Sequence, residues 1–269
     1  MIIAAPASFK APEESSHWYT RAGAAAYQVR SKSGHMRGTT LTDAKKLALV
    51  PSVTTVTSIV AKPALTTWLI DQAIHAALTL PRGELSEADY IAAIKVDGKA
   101  QGKAAAEEGD RIHNACEAAI KGERYPAVYR EHVRGAMEEL YRLFPGVGDW
   151  RAEDSFASEL GYGGKVDLHS PSTGIVVDFK TKDGDFSDGK RLAYDQDVQL
   201  AAYQRGLRLP RNKCANIFVS RTHPGKAASH VWTAEQIDRA WGEFLCILAL
   251  WKAQKKFDPS FTQGVSGAE

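Results

Sequence analysis

The residues with chemical potential cluster around Val166-Asp167 and, after a short polar link, Ile175-Val176-Val177-Asp178-Phe179-Lys180. Side chains alternate across a β-strand, so an extended 174–180 puts Asp178 and Lys180 on one face and Phe179 on the other. Ser170-Pro171-Ser172-Thr173 is rich in turn formers and suits an antiparallel hairpin between 165–169 and 174–180. That pairing sets Asp167 beside Asp178. Two carboxylates and a lysine between apolar flanks are costly unless they bind something, and hard oxygen ligands suit Mg²⁺ or Mn²⁺. Cation and ammonium together would favour hydroxide as nucleophile and stabilise the added charge of a phosphorane-like transition state. The chemistry implied is phosphodiester hydrolysis.

Elements on either side must hold this hairpin. Val53, Val56, Ile59 and Val60 recur at helical spacing, and after Lys62-Pro63 so do Leu65, Trp68, Leu69 and Ile74, which predicts two helices with a kink. Ser86 with Glu87 and Asp89 predicts an N-capped short helix, followed by a longer Ala-rich one over 99–120 and another over 127–143. Pro145-Gly146-Val147-Gly148 stops the last of these. Strands are expected at 150–158, 165–169, 174–180, 215–220 and 230–232, with helices over 194–207 and after a Thr233/Gln236 capping box. His113 and Glu117 stand at i and i+4 on the Ala-rich helix, as do Gln199 and Tyr203 on the later one, so each pair shares a face.

Bulk properties bound the rest. The chain has 269 residues, 44% hydrophobic and 25% charged, which fits a folded domain and excludes disordered and fibrous classes. Lys and Arg total 34 against 32 Asp and Glu, a net charge of +2, so any basic track for a nucleic acid is local. Cys116, Cys214 and Cys246 make no C-x-x-C pair, against a zinc knuckle, an iron–sulfur cluster or a disulfide framework. The opening residues are too short for a signal-peptide core, and no apolar run suits a membrane span. A cytoplasmic protein with no membrane partner is the expectation. Residues 1–50 read as an N-terminal extension, a loosely structured arm with room for a short hairpin.

Asp167, then Asp178-x-Lys180, then Gln199-Leu200-Ala201-Ala202-Tyr203, together resemble the PD-(D/E)XK nuclease superfamily, and within it the RecB-like, phage-type exonucleases. Val166 replaces the proline of the family's name. Gly109-Asp110-Arg111-Ile112-His113 with Glu117 is similar to that family's G-x-x-x-H…E helix. Pro51-Ser52-Val53-Thr54 and Lys62-Pro63-Ala64-Leu65 with Trp68 look like signatures of phage exonucleases and of the mitochondrial genome maintenance exonuclease. The resemblance runs over about residues 50–207.

It implies an α/β fold of the restriction-endonuclease-like kind, a small mixed sheet flanked by helices with a helical N-terminal half, and a nuclease domain over 51–269. Asp167 and Asp178 would be catalytic metal ligands, joined by His113 and the Phe179 main-chain carbonyl, with Lys180 the catalytic lysine. Glu117 would share a catalytic role. Gln199, Tyr203, Ser52, Thr54, Thr55 and Lys62 would support the site or touch DNA. The implied activity is an Mg²⁺- or Mn²⁺-dependent DNA exonuclease of recombination, repair or end processing, phage-encoded or host, with DNA ends as substrate and a single-strand annealing protein or helicase as partner.

Plainer readings stand beside these. Asp-x-Lys alone also fits a surface ion pair, His113 a packed histidine, Glu117 a solvated helix face and Gln199 a backbone cap. Ser52, Thr54 and Thr55 fit a helix start as well as a phosphate contact. Lys182, Lys190 and Arg191 either flank a DNA path or are simply solvated. Trp68, Trp241 and Trp251 are expected in the core rather than as base-stacking platforms. A structure-selective endonuclease and a non-catalytic DNA-binding partner of a recombination complex stay open as alternatives. No G-x-x-x-x-G-K-[ST] loop appears, against a motor within the chain.

Overall fold

Trp18 and Tyr19 are buried, and their burial ties down the N-terminal stretch of the computed structural model, which describes residues 17–189 and 192–262. They form β1 (Trp18–Tyr19). A hairpin follows, β2 (Gln28–Arg30) against β3 (Met36–Gly38), then α1 (Leu41–Leu47), whose Thr40/Asp43 capping box satisfies its first free N–H groups. β4 (Val50–Pro51) returns to pair antiparallel with β1. Trp18 meets Trp251 and Phe257 in the core. The arm expected to be loosely structured is therefore built onto the body of the protein from residue 17, because its aromatic residues have apolar surface to cover. Its first sixteen residues, and Lys190 and Arg191, lie outside the described residues.

The helical half follows the predicted order with one correction. α2 (Val53–Thr57) is a short helix capped by Ser52, and α3 (Pro63–Thr79) starts on its proline, where a missing N–H costs nothing. The short and long helices expected after Ser86 are a single one, α4 (Glu87–Ile120), of 34 residues. Gly98 sits inside it; a helical glycine costs only about 1 kcal/mol against alanine, less than a break requires. The Tyr90 hydroxyl donates to the carbonyls of Ala77 and Leu80, fastening α3 to α4. A 3-10 turn at Ala127–Tyr129 leads into α5 (Arg130–Leu143).

From residue 151 the chain turns to sheet, with β5 (Arg151–Ser158), β6 (Tyr162–His169), β7 (Val176–Lys182), β8 (Cys214–Ser220) and β9 (Ala227–Trp232). Their order is β5-β6-β7-β8-β9; β7 and β8 are parallel and the other pairs antiparallel. The parallel pair needs a crossover, which α6 (Gln196–Gly206) supplies. α7 (Ala234–Lys255) closes the fold from the expected Thr233/Gln236 capping box.

The sheet carries a core on each face. Ile112, Cys116, Val133, Ala136 and Leu140 of α4 and α5 pack on Leu168, Val177, Phe179 and Ile217. Val53 and Val56 of α2, with Leu200 and Ala201 of α6 and Phe244 and Trp251 of α7, pack with Val166, Val176 and Phe218 on the other face. The chain is thus a mixed α/β protein with a five-stranded mixed sheet flanked by helices. Among the described residues no helix is long and apolar enough to cross a membrane.

Candidate active site

The β6–β7 hairpin is not paired along its whole length. Its turn is fixed by Asp149, which accepts hydrogen bonds from the Ser170 hydroxyl (2.5 Å) and the Ser172 N–H (2.8 Å), and by Gly174 at φ +77°. A Cβ at Gly174 would lie 2.0 Å from the Pro210 carbonyl oxygen, so only glycine fits. Pairing then runs through His169–Val176 and Leu168–Val177 and ends. Asp167 and Asp178 are the next residues on each strand. The Phe179 N–H, which no β6 carbonyl meets, donates instead to Asp167 Oδ2 at 2.9 Å. The fork between the strands thus positions one carboxylate by a backbone amide of the other strand.

Asp178 is 1% exposed, and each of its oxygens has partners. Lys180 Nζ (2.8 Å) and Gln199 Nε2 (3.2 Å) donate to Oδ1, and Asn216 Nδ2 (2.8 Å) donates to Oδ2. Gln199 also donates to the Tyr203 hydroxyl at 2.8 Å, one turn along α6. Asn216 accepts in turn from Trp232 Nε1 at 2.9 Å. Asp178 and Lys180 share a face and Phe179 is buried in the opposite core, as strand alternation predicts.

α4 brings His113 to the fork. A Cβ on Gly109 would stand 2.6 Å from Thr181 Oγ1, so that glycine lets the helix approach β7 closely. One turn later His113 Nε2 lies 2.8 Å from Asp167 Oδ2. Burial alone would lower the His113 pKa, but the hydrogen bond and charge of Asp167 outweigh it and the net shift is upward. Burial would likewise raise Asp167, yet His113 and Lys180 hold it below the usual carboxylate range. Asp178 goes the other way: burial pushes it up, and Lys180 only partly offsets that. Lys180, despite burial, is held as an ammonium by Asp178 and Asp167, its pKa shifted upward.

These groups line one cleft of about 620 Å³. His113, Asp167, Asp178, Phe179, Lys180, Gln199, Tyr203, Ser52 and Thr54 all border it. Ser52 Oγ caps α2 by accepting from the Thr55 N–H (2.9 Å), so its helix-start role is realised even as it faces the cleft. Thr55 and Lys62 do not line the cleft: the Thr55 hydroxyl accepts from Ser52, and Lys62 is exposed at the start of α3. Glu117 stands just outside it, ion-paired with Lys121. Lys182 is turned into its own fold, donating to the Leu192 carbonyl over the Phe218 ring. Trp251 is buried and Trp241 packs against the core, as expected.

Three features escape the sequence reading. Asn216 had a faint signal, a polar residue inside an apolar strand. Glu153 in β5 had none separating it from Asp154 beside it; it faces the cleft, ion-paired with Lys165. His17, Tyr19 and Tyr27 make an aromatic wall, with the His17 and Tyr27 rings stacked at 4.4 Å and the two tyrosine hydroxyls hydrogen-bonded at 2.6 Å.

The carboxylates of Asp167 and Asp178 and the His113 imidazole at the strand fork are donors of the kind that hold a metal ion, with Lys180 beside them. His113, Glu117 and Glu153 also each offer a ligand atom within 4.8 Å of the others. No protein-family model and no curated protein matches the chain. Similar solved structures include that of SSO0001, at 15% identity and a TM-score of 0.32, covering 68% of this chain and 86% of that one. Another is a phage related exonuclease from Haemophilus somnus 129PT, at 12% identity and a TM-score of 0.29, covering 54% of this chain and 80% of that one. Likenesses this distant decide nothing about function, which rests on the site.

Proposed function

We propose that the chain is a divalent-metal-dependent deoxyribonuclease of the PD-(D/E)XK kind, acting as an exonuclease on DNA ends in recombination, repair or end processing. The observation behind this reading is the fork: Asp167 and Asp178 stand as the first residues past the last β6–β7 pair, with Lys180, His113 and Gln199 in hydrogen-bond contact with them. In this reading 51–269 form the nuclease domain, and the described part of 1–50 supplies a wall of its cleft.

Asp167, Asp178, His113 and the Phe179 carbonyl would hold Mg²⁺ or Mn²⁺. The cation, when bound, would supply positive charge against the phosphate being cut. Lys180, kept charged by the two aspartates, reaches the cleft and stabilises negative charge developing on the phosphate oxygens. Gln199 and Asn216 fix the two Asp178 oxygens, and Tyr203 fixes Gln199. Ser52, Thr54 and the aromatic wall border the path a strand would take.

The test uses end-labelled single- and double-stranded DNA with and without Mg²⁺, comparing the parent with Asp178→Asn. The parent should release nucleotides only with the metal, and Asp178→Asn should release essentially none. A parent that binds Mg²⁺ or Mn²⁺ and cuts neither DNA would overturn the proposal.

A further inference from the structure

The cleft holds few charges that could attract a nucleic-acid backbone. Among the described residues that line it, Lys165 and Lys180 face four carboxylates, Asp110, Glu153, Asp167 and Asp178, and both lysines are already ion-paired. A divalent cation at the fork would only cancel the excess, so phosphate attraction is a weak source of grip. The N-terminal wall offers a different one. The His17 and Tyr27 rings stack at 4.4 Å with 26° between their planes, and Tyr19 meets Tyr27 edge-on at 5.5 Å, the two tyrosine hydroxyls hydrogen-bonded at 2.6 Å. Tyr19 is 2% exposed and serves as the buried support, whereas His17 is exposed and Tyr27 half-buried, and both border the cleft. Backbone bonds fix the mounting: the Ser52 N–H donates to the His17 carbonyl at 2.8 Å, the Ala26 N–H to the Trp18 carbonyl at 2.8 Å and the Thr39 N–H to the Tyr27 carbonyl at 3.0 Å. A rigidly held aromatic stack at the edge of a cleft leaves π-surface in water that a flat ligand would cover.

We propose that His17 and Tyr27 form a platform on which an unpaired nucleobase stacks, so that the cleft takes single-stranded DNA and holds it by its bases. This rests on the nuclease reading, which supplies the strand that runs past the site. Every base presents a π-face, so the platform grips without reading sequence. A base inside a duplex has both faces covered by its neighbours and cannot use it. Stacking carries no net charge, so unlike phosphate contact it survives added salt.

The experiment is fluorescence anisotropy of the full chain with two labelled strands of equal length, a mixed-sequence DNA strand and one whose sugars lack bases, with Ca²⁺ in place of Mg²⁺ to suppress cutting. The two strands carry the same phosphates, so their affinity ratio reports the bases alone. The parent should bind the base-bearing strand at least about fivefold more tightly, the effect expected of one stacked base. His17→Ala and Tyr27→Leu should each lose most of that ratio. Tyr27→Phe should keep it, since the ring stays while the hydroxyl bond to Tyr19 goes. General damage to the fold would weaken both strands alike, and His17→Ala, altered at an exposed side chain, carries the test if Tyr27→Leu fails to fold. A parent without the preference, or variants that retain it, would overturn the platform; the nuclease reading stands if that parent still cuts DNA with Mg²⁺. A preference that both variants lose, in a parent that cuts no DNA, would uphold the platform and remove the nuclease reading. A parent that binds neither strand and cuts none overturns both.

Discussion

Lys180 and Asn216 hold the same carboxylate by opposite oxygens, and their removal should have separable effects. Lys180 is not placed as a ligand, so Lys180→Ala should leave Mn²⁺ affinity nearly unchanged in calorimetry. It should lower single-turnover cleavage by about 10²–10³-fold, the usual loss when a charge-stabilising group is removed. Cleavage at the parental rate would show that the lysine is misassigned. Asn216 is fully buried between Asp178 and Trp232, so Asn216→Ala strands two polar atoms at once. We expect about 1–3 kcal/mol of lost stability in urea unfolding, together with reduced cleavage because Asp178 loses the donor that orients it. Loss of stability without any change in cleavage would separate Asn216 from the site.

At the scale of elements, the site depends on how closely α4 approaches β7. Gly109→Ala places a methyl 2.6 Å from Thr181 Oγ1, so the helix or the threonine must move. Overpacking of this kind costs about 1–3 kcal/mol, whereas alanine in place of a helical glycine returns about 1 kcal/mol. Removing the obstacle with Thr181→Ala should therefore make the Gly109→Ala/Thr181→Ala double variant more stable than Gly109→Ala alone, by about 1 kcal/mol or more. Thermal unfolding of the three variants measures this; a double variant that is the less stable of the two would mean that the contact does not set the helix position. α3 lies along α4, with Leu69, Ile70, Ile74 and Leu78 exposed, and among its described residues no side chain borders the cleft.

For the molecule as a whole, the cleft sets what can enter. Its volume of about 620 Å³ lies in the range of small-ligand pockets, roughly 300–1,000 Å³, and the exonuclease proposed above would take the end of one strand there. The aromatic wall of His17, Tyr19 and Tyr27 closes one side and α4 another. Linear single-stranded DNA should be degraded much faster than a covalently closed circle of the same sequence under equal Mg²⁺. Comparable loss of the circle would favour an endonuclease. With Lys165 and Lys180 the lysines lining the cleft, the proposed enzyme should make few phosphate contacts there, and its activity should decline only shallowly with salt.

The hairpin, the shared face of Asp178 and Lys180, and the i, i+4 pairs of α4 and α6 were legible from the residues alone, because strand alternation and helical periodicity are local geometry. Ser86 marked the start of α4 for the same reason, and the capping box at Thr233 and Gln236 that opens α7 is readable without any tertiary contact. What lay beyond reach was set by pairing between distant segments. The parallel register of β7 with β8 puts Asn216 beside Asp178, and the β5–β6 register puts Glu153 opposite Asp167; neither alignment is written in the strands themselves. The burial of Trp18 against Trp251 converts an arm with weak periodicity into a wall of the cleft, and that depends on apolar surface exposed by a helix more than 200 residues away. Local chemistry determined which residues could do chemistry; long-range packing alone decided which of them meet.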